Sequence, residues 1–412
     1  MIYTLEKPYN QGLYVGWTEF LKSTNIPYET LVDNTLEQDV EFESFMSFQH
    51  NIDFINEKVK KENTLIIDSS YFRREDGSWL NFPQINEWCK KLNSDNIIVM
   101  HPDTGYSPDE AYNENGVKVL TPTYKLEEWD DNKLQSNYNF YICNGAYQSL
   151  KWLASIIFER YKEMLRAKKF LSYNGVYKIH RTLIQKTLED NDLMKDTFFS
   201  YNAYNILDEN CNHNYEFDVD YNNFTEALYG HNSKYNHVND FREKEILPYY
   251  SKEEHEKLLK KLPVVLDYIP NLSNVDQYAF TLPYTSNAYV EIIGCTSLTG
   301  NGNEIYTSEK IFKPFMSYLI PIFIGQRGLL TLLKKLGFEL EFDGLVDISY
   351  DSIECNLERT KQALENVKRI GEFSIAELHN NYHRHREKLI HNNKLMKELY
   401  TKQVDSFKQI IW

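Results

Sequence analysis

The sequence predicts an α/β protein with parallel sheets, arranged in more than one unit, and three observations predict it. Short β-rich runs bounded by turn residues alternate with helical stretches along the chain. Several of those runs are apolar almost throughout, as strands covered on both faces must be. The chain has 412 residues, 42% of them hydrophobic and 25% charged, enough for two or three cores and too much for one.

Taken in order, residues 64–68 (TLIID), 96–101 (NIIVMH), 116–120 (GVKVL) and 140–143 (FYIC) read as strands, with a helix over 84–92 between the first two. In a parallel sheet ligands sit beyond the carboxyl ends of the strands, which singles out the loops 69–77 and 101–106. Residues 147–167 form a long amphipathic helix that bridges to a second unit beginning near Lys168. There FLSYNG (170–175) is a strand, and VYKIHRTLIQKTLEDNDLM is the helix after it. Residues 201–250 have little periodicity and much Asn, Asp and Tyr, so they read as a long insertion that could serve as an acceptor loop. Strands follow at 262–267 and 289–294, then a flexible Gly-Asn-Gly turn over 299–303 that is not a dinucleotide fingerprint.

Residues 305–351 carry the densest pattern. They predict a polar loop, a short helix bearing Ser308, Glu309 and Lys310, and a buried strand at 319–324. A helix over 329–336 then closes on Gly337 as a left-handed cap. Capping by Thr307 or Ser308 places Pro314 inside the first helix, where a lost backbone donor kinks it. Glu309 and Lys310 then fall in its first turn, where free N–H groups and the dipole favour an anion. Residues 375–412 read as one long helix packing back across both units.

Composition narrows the function. A net charge of −15 disfavours non-specific binding to nucleic acid. Cys89, Cys143, Cys211, Cys295 and Cys355 are odd in number and lack CxxC spacing, which fits a reducing compartment and no structural zinc. MIYTLEKPYN has no leader pattern and no apolar run reaches membrane-spanning length, so a soluble, cytoplasmic protein is expected. The abundance of Asn, Lys, Ile and Tyr fits an AT-rich coding genome of phage or viral type, whose product would act in the host cytoplasm.

SEKIFKPFMSYLIPIFIG, then GLLTLLKKLGFE, then DISYD, together with FLSYNGVYKIHR upstream, resemble α-1,3-fucosyltransferase-like glycosyltransferases, most nearly their phage and large-virus relatives. The resemblance spans the C-terminal half, from Phe170 to the last helix. It implies a GT-B-like fold of two Rossmann-like domains facing a cleft: 1–167 on the acceptor side, 168–374 on the donor side with the insertion 201–250, and 375–412 as the crossing helix. It further implies that Glu309 holds the ribose of a UDP- or GDP-sugar while Lys310 and Arg181 hold the diphosphate, with His180 and Ser308 in the matching motifs. Charge grows on that diphosphate as the glycosidic bond breaks, so cations there stabilise the leaving group.

Glu291 stands where the relatives carry the Glu of a FEN segment, but here the text is VEIIG without the Asn. It is either a donor contact or a buried structural carboxylate. Lys313 either extends the positive cluster or is a solvated lysine. The general base for the acceptor hydroxyl is sought on loops of the N-terminal half, at Asp103, His101 or Glu75, each of which also reads as turn or surface chemistry. His379, His383, His385 and His391 lack the company that zinc requires and read as a solvent-facing basic stripe able to meet a polyanion. FDVDY at 217–221 lies in the insertion, so no obligatory metal is expected. The acceptor expectation is a hydroxymethylated DNA base, 5-hydroxymethylcytosine, with a glycan, lipid-linked or protein acceptor as the alternative. A non-catalytic nucleotide-sugar-binding interaction module is the rival of another class.

Overall fold

Two all-parallel sheets carry the structure, a computed structural model that describes residues 1–5, 27–31, 49–68, 87–100, 117–120, 123–125, 164–175, 178–201, 246–262, 264, 282–299 and 304–411. The first comprises β1 (Ile2–Leu5), β2 (Tyr28–Leu31), β3 (Thr64–Asp68), β4 (Asn96–Met100) and β5 (Val117–Leu120), in the order β2-β1-β3-β4-β5. Helix α1 (Gln49–Lys58) lies between β2 and β3 in sequence and buries Ile52 and Ile55 with Leu65, Ile67 and Val99. The strands at 64–68, 96–100 and 117–120 lie within the ranges expected, whereas β1 and β2 went unread. The strand expected at 140–143 and the loops 69–77 and 101–106 lie outside the described residues; of the helix expected over 84–92, residues 87–89 are helical, 90–92 are turn and bend, and 84–86 lie outside the described residues.

The second sheet is built from β7 (Lys168–Asn174), β8 (Thr197–Tyr201), β9 (Ala288–Gly294) and β11 (Ile320–Ile324), in the order β8-β7-β9-β11. Every residue of β9 and β11 is buried, which explains their unbroken apolar text. Pro321 is tolerated because β11 is an edge strand, where a missing N–H leaves no ladder bond unmade. Helix α2 (Ile179–Asp190) joins β7 to β8, and α3 (Lys252–Leu259), capped by Ser251 and Glu254, packs on α2. Numbered from the first strand of each sheet, the order is 2-1-3-4-5 in the first and 2-1-3-4 in the second, so the connection reverses direction between β1 and β3 and between β7 and β9. Ligands of doubly wound sheets bind at such a reversal, beyond the carboxyl ends of the strands. A short antiparallel ladder of β6 (Thr123–Lys125) with β10 (Glu304–Tyr306) ties the two halves of the sequence together.

The segment after β10 departs from expectation. Instead of one kinked helix there is a 3-10 turn over Glu309–Ile311 and then α4 (Lys313–Met316), with Pro314 in the first turn of α4 where no donor is needed. Ser308 caps no helix, for its hydroxyl has no hydrogen-bond partner, and the N-cap position of α4 is Phe312. A single 3-10 turn has little dipole, so any affinity for an anion there must come from the side chains. Helix α5 (Leu329–Lys335) ends as the sequence requires. Gly337 at φ 98° gives its N–H to Lys334 and the Phe338 N–H reaches Leu333, which satisfies the last carbonyls.

Helix α6 (Asn356–Glu372) packs on β11 and α2. The tail is two helices rather than one, α7 (Ile375–Arg384) and α8 (Arg386–Ile411), broken at His385. Ser374 and Glu377 form a capping box at the start of α7, which packs on β7 and β9, while α8 packs on α4. Residues 164–167, the described end of the bridging segment 147–167, are not helical. Val264 of the expected strand 262–267 makes one antiparallel bridge to Tyr201, and 265–267 lie outside the described residues, as do 202–245 of the insertion.

Asp351, the last residue of DISYD, is structural. Helix α5 starts at Gly328 without a side-chain cap, and the Asp351 carboxylate instead accepts the N–H of Leu330 (3.0 Å), the N–H of Thr331 (2.9 Å) and the Thr331 hydroxyl (2.8 Å). Asp351→Ala leaves those buried donors unmatched and is expected to cost about 2 kcal/mol in urea denaturation, with Asp351→Asn losing less.

Candidate functional site

Helix α2 begins with a residue that does not suit a helix start. Its N-cap is Lys178, at φ −154° and ψ 141°, with no side-chain cap of its own. Tyr201, at the end of β8, replaces the cap. The Lys178 N–H donates to the Tyr201 hydroxyl (3.2 Å), which lies equally close to the Lys178 carbonyl (3.2 Å) and to the Thr182 hydroxyl (3.2 Å). Burial pushes that phenol up to about 12, so it stays neutral. The Lys178 side chain is thereby released for another role.

The first turn of α2 stitches down the chain as it leaves β9. The buried Arg181 guanidinium donates to the Gly294 carbonyl through Nε (3.1 Å) and Nη2 (3.0 Å), with a longer Nη2 contact to Cys295 (3.5 Å). His180 Nε2–H donates to the Cys295 carbonyl at 2.8 Å, the tautomer that a carbonyl partner demands. Lys178 Nζ donates to the Thr296 carbonyl. Three consecutive carbonyls are thus held by three side chains of one helical turn. Gly294 is required by close approach: a Cβ there would lie 2.6 Å from Arg181 Cγ and 3.0 Å from Asn174 Oδ1.

The electrostatics follow from this packing. Burial, then Arg181, then Lys310, bring the Lys178 ammonium down to about 8. Burial and Arg181 push His180 well below the usual imidazole range, so it is neutral at pH 7 and acts as a hydrogen-bond donor, not a cation. Arg181 and Lys310 also act on the Cys295 thiol, which burial nevertheless raises to about 12. Lys178, Arg181 and Lys310 therefore share one neighbourhood at the carboxyl ends of β7 and β9, the reversal point of the sheet. Two buried polar atoms without partners belong to the same segments: Asn174 Oδ1, whose amide Nδ2 is anchored on Ser172 Oγ (3.1 Å), and Ser308 Oγ.

Two polar residues that sequence reasoning passed over tie together the loops that follow β9 and β11. Gln326, just after β11, accepts the Tyr306 N–H (2.8 Å) and donates to the Thr299 carbonyl (2.5 Å), which fixes the approach to Ser308 and Lys310. Arg359 of α6 donates to the carbonyls of Gly325 (3.0 Å), Leu298 (2.9 Å) and Ile353 (2.7 Å) and to the Asn356 side chain.

The structure thus brings together Arg181, His180 and Lys310 from the sequence-predicted set, adds Lys178 and Asn174, and sets Ser308 two residues from Lys310. Glu309 lies in the 3-10 turn beside Lys310. Glu291 is not part of the cluster. It lies three residues before Gly294 on β9, so strand alternation turns it to the opposite face of the sheet. There it is 7% exposed, and the half-buried Lys313 lies near enough to favour its charged form. Asp103, His101 and Glu75 lie outside the described residues.

The tail histidines do not form one solvated stripe, although His391 is exposed. His385 is buried against the Asp343 carbonyl (3.1 Å), His391 reaches the Gly337 carbonyl (3.0 Å), and His379 Nδ1 meets the Tyr289 hydroxyl (2.9 Å). Among the described residues no group of three or more His, Cys, Asp or Glu side chains is placed to hold a metal, and no helix is long and apolar enough to cross a membrane. Comparison with protein-family models, with curated proteins and with solved structures gives no match.

Burial pushes the Glu291 carboxyl up to about 7, with Lys313 pulling the other way. The unfolded chain loses this proton near the ordinary carboxylate value and the folded chain keeps it to about 7. A penalty therefore builds as pH rises between those values and is complete above them. Glu291→Gln should stabilise the fold at pH 8 by on the order of 2 kcal/mol, and the gain should shrink toward pH 5 in urea titrations.

Proposed function

We propose that the chain is a nucleotide-sugar-dependent glycosyltransferase with a GT-B-like pair of α/β domains, the second holding the donor. The observation that carries this reading is the cluster of Lys178, Arg181 and Lys310 at the reversal point between β7 and β9. A diphosphate needs cations on several oxygens, and it needs them most when the bond to the sugar breaks. The motifs FLSYNGVYKIHR and SEKIFKP, which suggest the same family, contribute the residues that meet there.

In an inverting transfer a base on the first domain takes the proton of the acceptor hydroxyl. The hydroxyl oxygen forms the new bond to the anomeric carbon, and the electron pair of the old bond leaves with the diphosphate toward the cations. His180, being neutral, positions the Cys295 carbonyl and takes no charge from the reaction. The acceptor placed first is 5-hydroxymethylcytosine in DNA. A glycan acceptor is the second reading, favoured by the net charge of −15, which opposes a polyanionic partner.

Calorimetric titration with UDP-, GDP- and CMP-sugars tests the donor site. One donor should bind in the micromolar range, and Lys310→Ala should weaken it by about 10- to 100-fold, the worth of a charge-assisted contact. Arg181→Ala should do the same or more, with a folding check because Arg181 also holds the Gly294 carbonyl. Binding of no donor to folded protein would defeat the proposal. Binding without turnover on hydroxymethylated DNA or on glycans would favour a non-catalytic module.

A further inference from the structure

A lysine is poorly placed at the N-cap of α2. Ser, Thr, Asp and Asn are the residues that stabilise this position, and a cation faces the positive end of the helix there. Arg181 and Lys310 add two more positive charges to its surroundings. The hydrogen bond made by its ammonium goes to a neutral carbonyl, that of Thr296, and no carboxylate among the described residues pairs with it. The other groups facing it are Tyr201, held neutral, and His180, likewise neutral. A cation at this position whose charge is met, among the described residues, only by one neutral carbonyl breaks the local rules, and such breaks cluster at functional sites. Asn174 Oδ1, which sits beside the Gly294–Arg181 contact, and Ser308 Oγ, two residues before Lys310, are both buried and lack a partner.

We infer that Lys178 is a third ligand-binding cation of this crevice, and that the ligand is a phosphoric anhydride carrying two or more negative charges whose binding draws a proton onto Lys178. This rests on the donor-site reading above and assigns the site a residue and a proton linkage that the motifs do not contain. Near pH 8 the free ammonium is about half protonated, as burial and its cationic neighbours dictate. A dianion beside it restores the charged form, so the proton is taken from solvent as the ligand enters. The sign follows: affinity is full below pH 8 and is lost as pH rises above it.

The test is calorimetry of the nucleotide sugar that binds best, at pH 8 in buffers of different ionisation enthalpy. The anhydride of a nucleotide sugar does not itself titrate in this range, so any proton taken up belongs to the protein. Wild-type protein should take up about half a proton per ligand at pH 8, and affinity should fall nearly tenfold per pH unit above it. Lys178→Arg, permanently charged, should bind without uptake and with a flat pH profile. Lys178→Met should bind at least tenfold more weakly, also with a flat profile.

Wild-type binding that depends on Arg181 and Lys310 but involves no proton uptake, or uptake unchanged in Lys178→Arg, overturns the inference and leaves the donor site standing. Absence of binding by every nucleotide sugar, in protein shown to be folded, overturns both.

Discussion

Everything at the carboxyl edge of the second sheet depends on how the chain is gripped as it leaves β9. Carbonyls 294, 295 and 296 would be buried without partners unless something met them, and an unmet buried carbonyl costs on the order of 1–3 kcal/mol. Three side chains from one turn of α2 meet all three. That solution fixes the strand end to the helix start, and it also fixes where the positive charge of the crevice must sit. Gly294 is the steric condition for it, because a side chain at that position would displace the Arg181 stem.

Arginine is used twice in this way, with different consequences. Arg359 spends its planar fork on the carbonyls of Leu298, Gly325 and Ile353, so the loops after β9 and β11 and the start of α6 move as one piece. Its charge is buried for the sake of geometry, and burial brings its guanidinium down to about 10. Arg181 grips in the same manner, but it does so where Lys178 and Lys310 converge. Together with Gln326, which binds both Tyr306 and Thr299, Arg359 gives the segment around Ser308 and Lys310 a rigid base even though that segment is only a 3-10 turn and a single helical turn. On the proposed donor-site reading such preorganisation matters, because cations aimed at developing charge do most when nothing must move to bring them there.

The strands that could be read in the sequence are those buried on both faces. TLIID, NIIVM, AYVEIIG and IPIFI are nearly continuous apolar text, and that text survives any choice of neighbour. TFFSY, IYTL and YETL went unread because hydroxyl and charged residues break their runs, and their strand identity comes from the partners they pair with. Gly337 was legible because a left-handed cap is a local requirement. The 3-10 turn at Glu309 was not, since the strand leading into it is tied at Tyr306 to Gln326, twenty residues further on. Lys178 escaped notice for the same reason: its cap is Tyr201, 23 residues away. DISYD was legible only as a motif, because the helix N–H groups that Asp351 accepts are a tertiary choice.

A chain with net charge −15 that gathers cations in one crevice sorts its ligands by size as well as by sign. At physiological ionic strength charges are felt over roughly 8 Å, so a small dianion inside the crevice responds to Lys178, Arg181 and Lys310 and hardly to the distant acidic surface. A long polyanion cannot make that separation, because its backbone must lie against whatever surrounds the mouth. If DNA is the acceptor, its grip must therefore come through an extruded base, with little phosphate contact and a shallow dependence on salt. A glycan acceptor meets no such barrier, so the salt dependence of acceptor binding distinguishes the two more directly than affinity does.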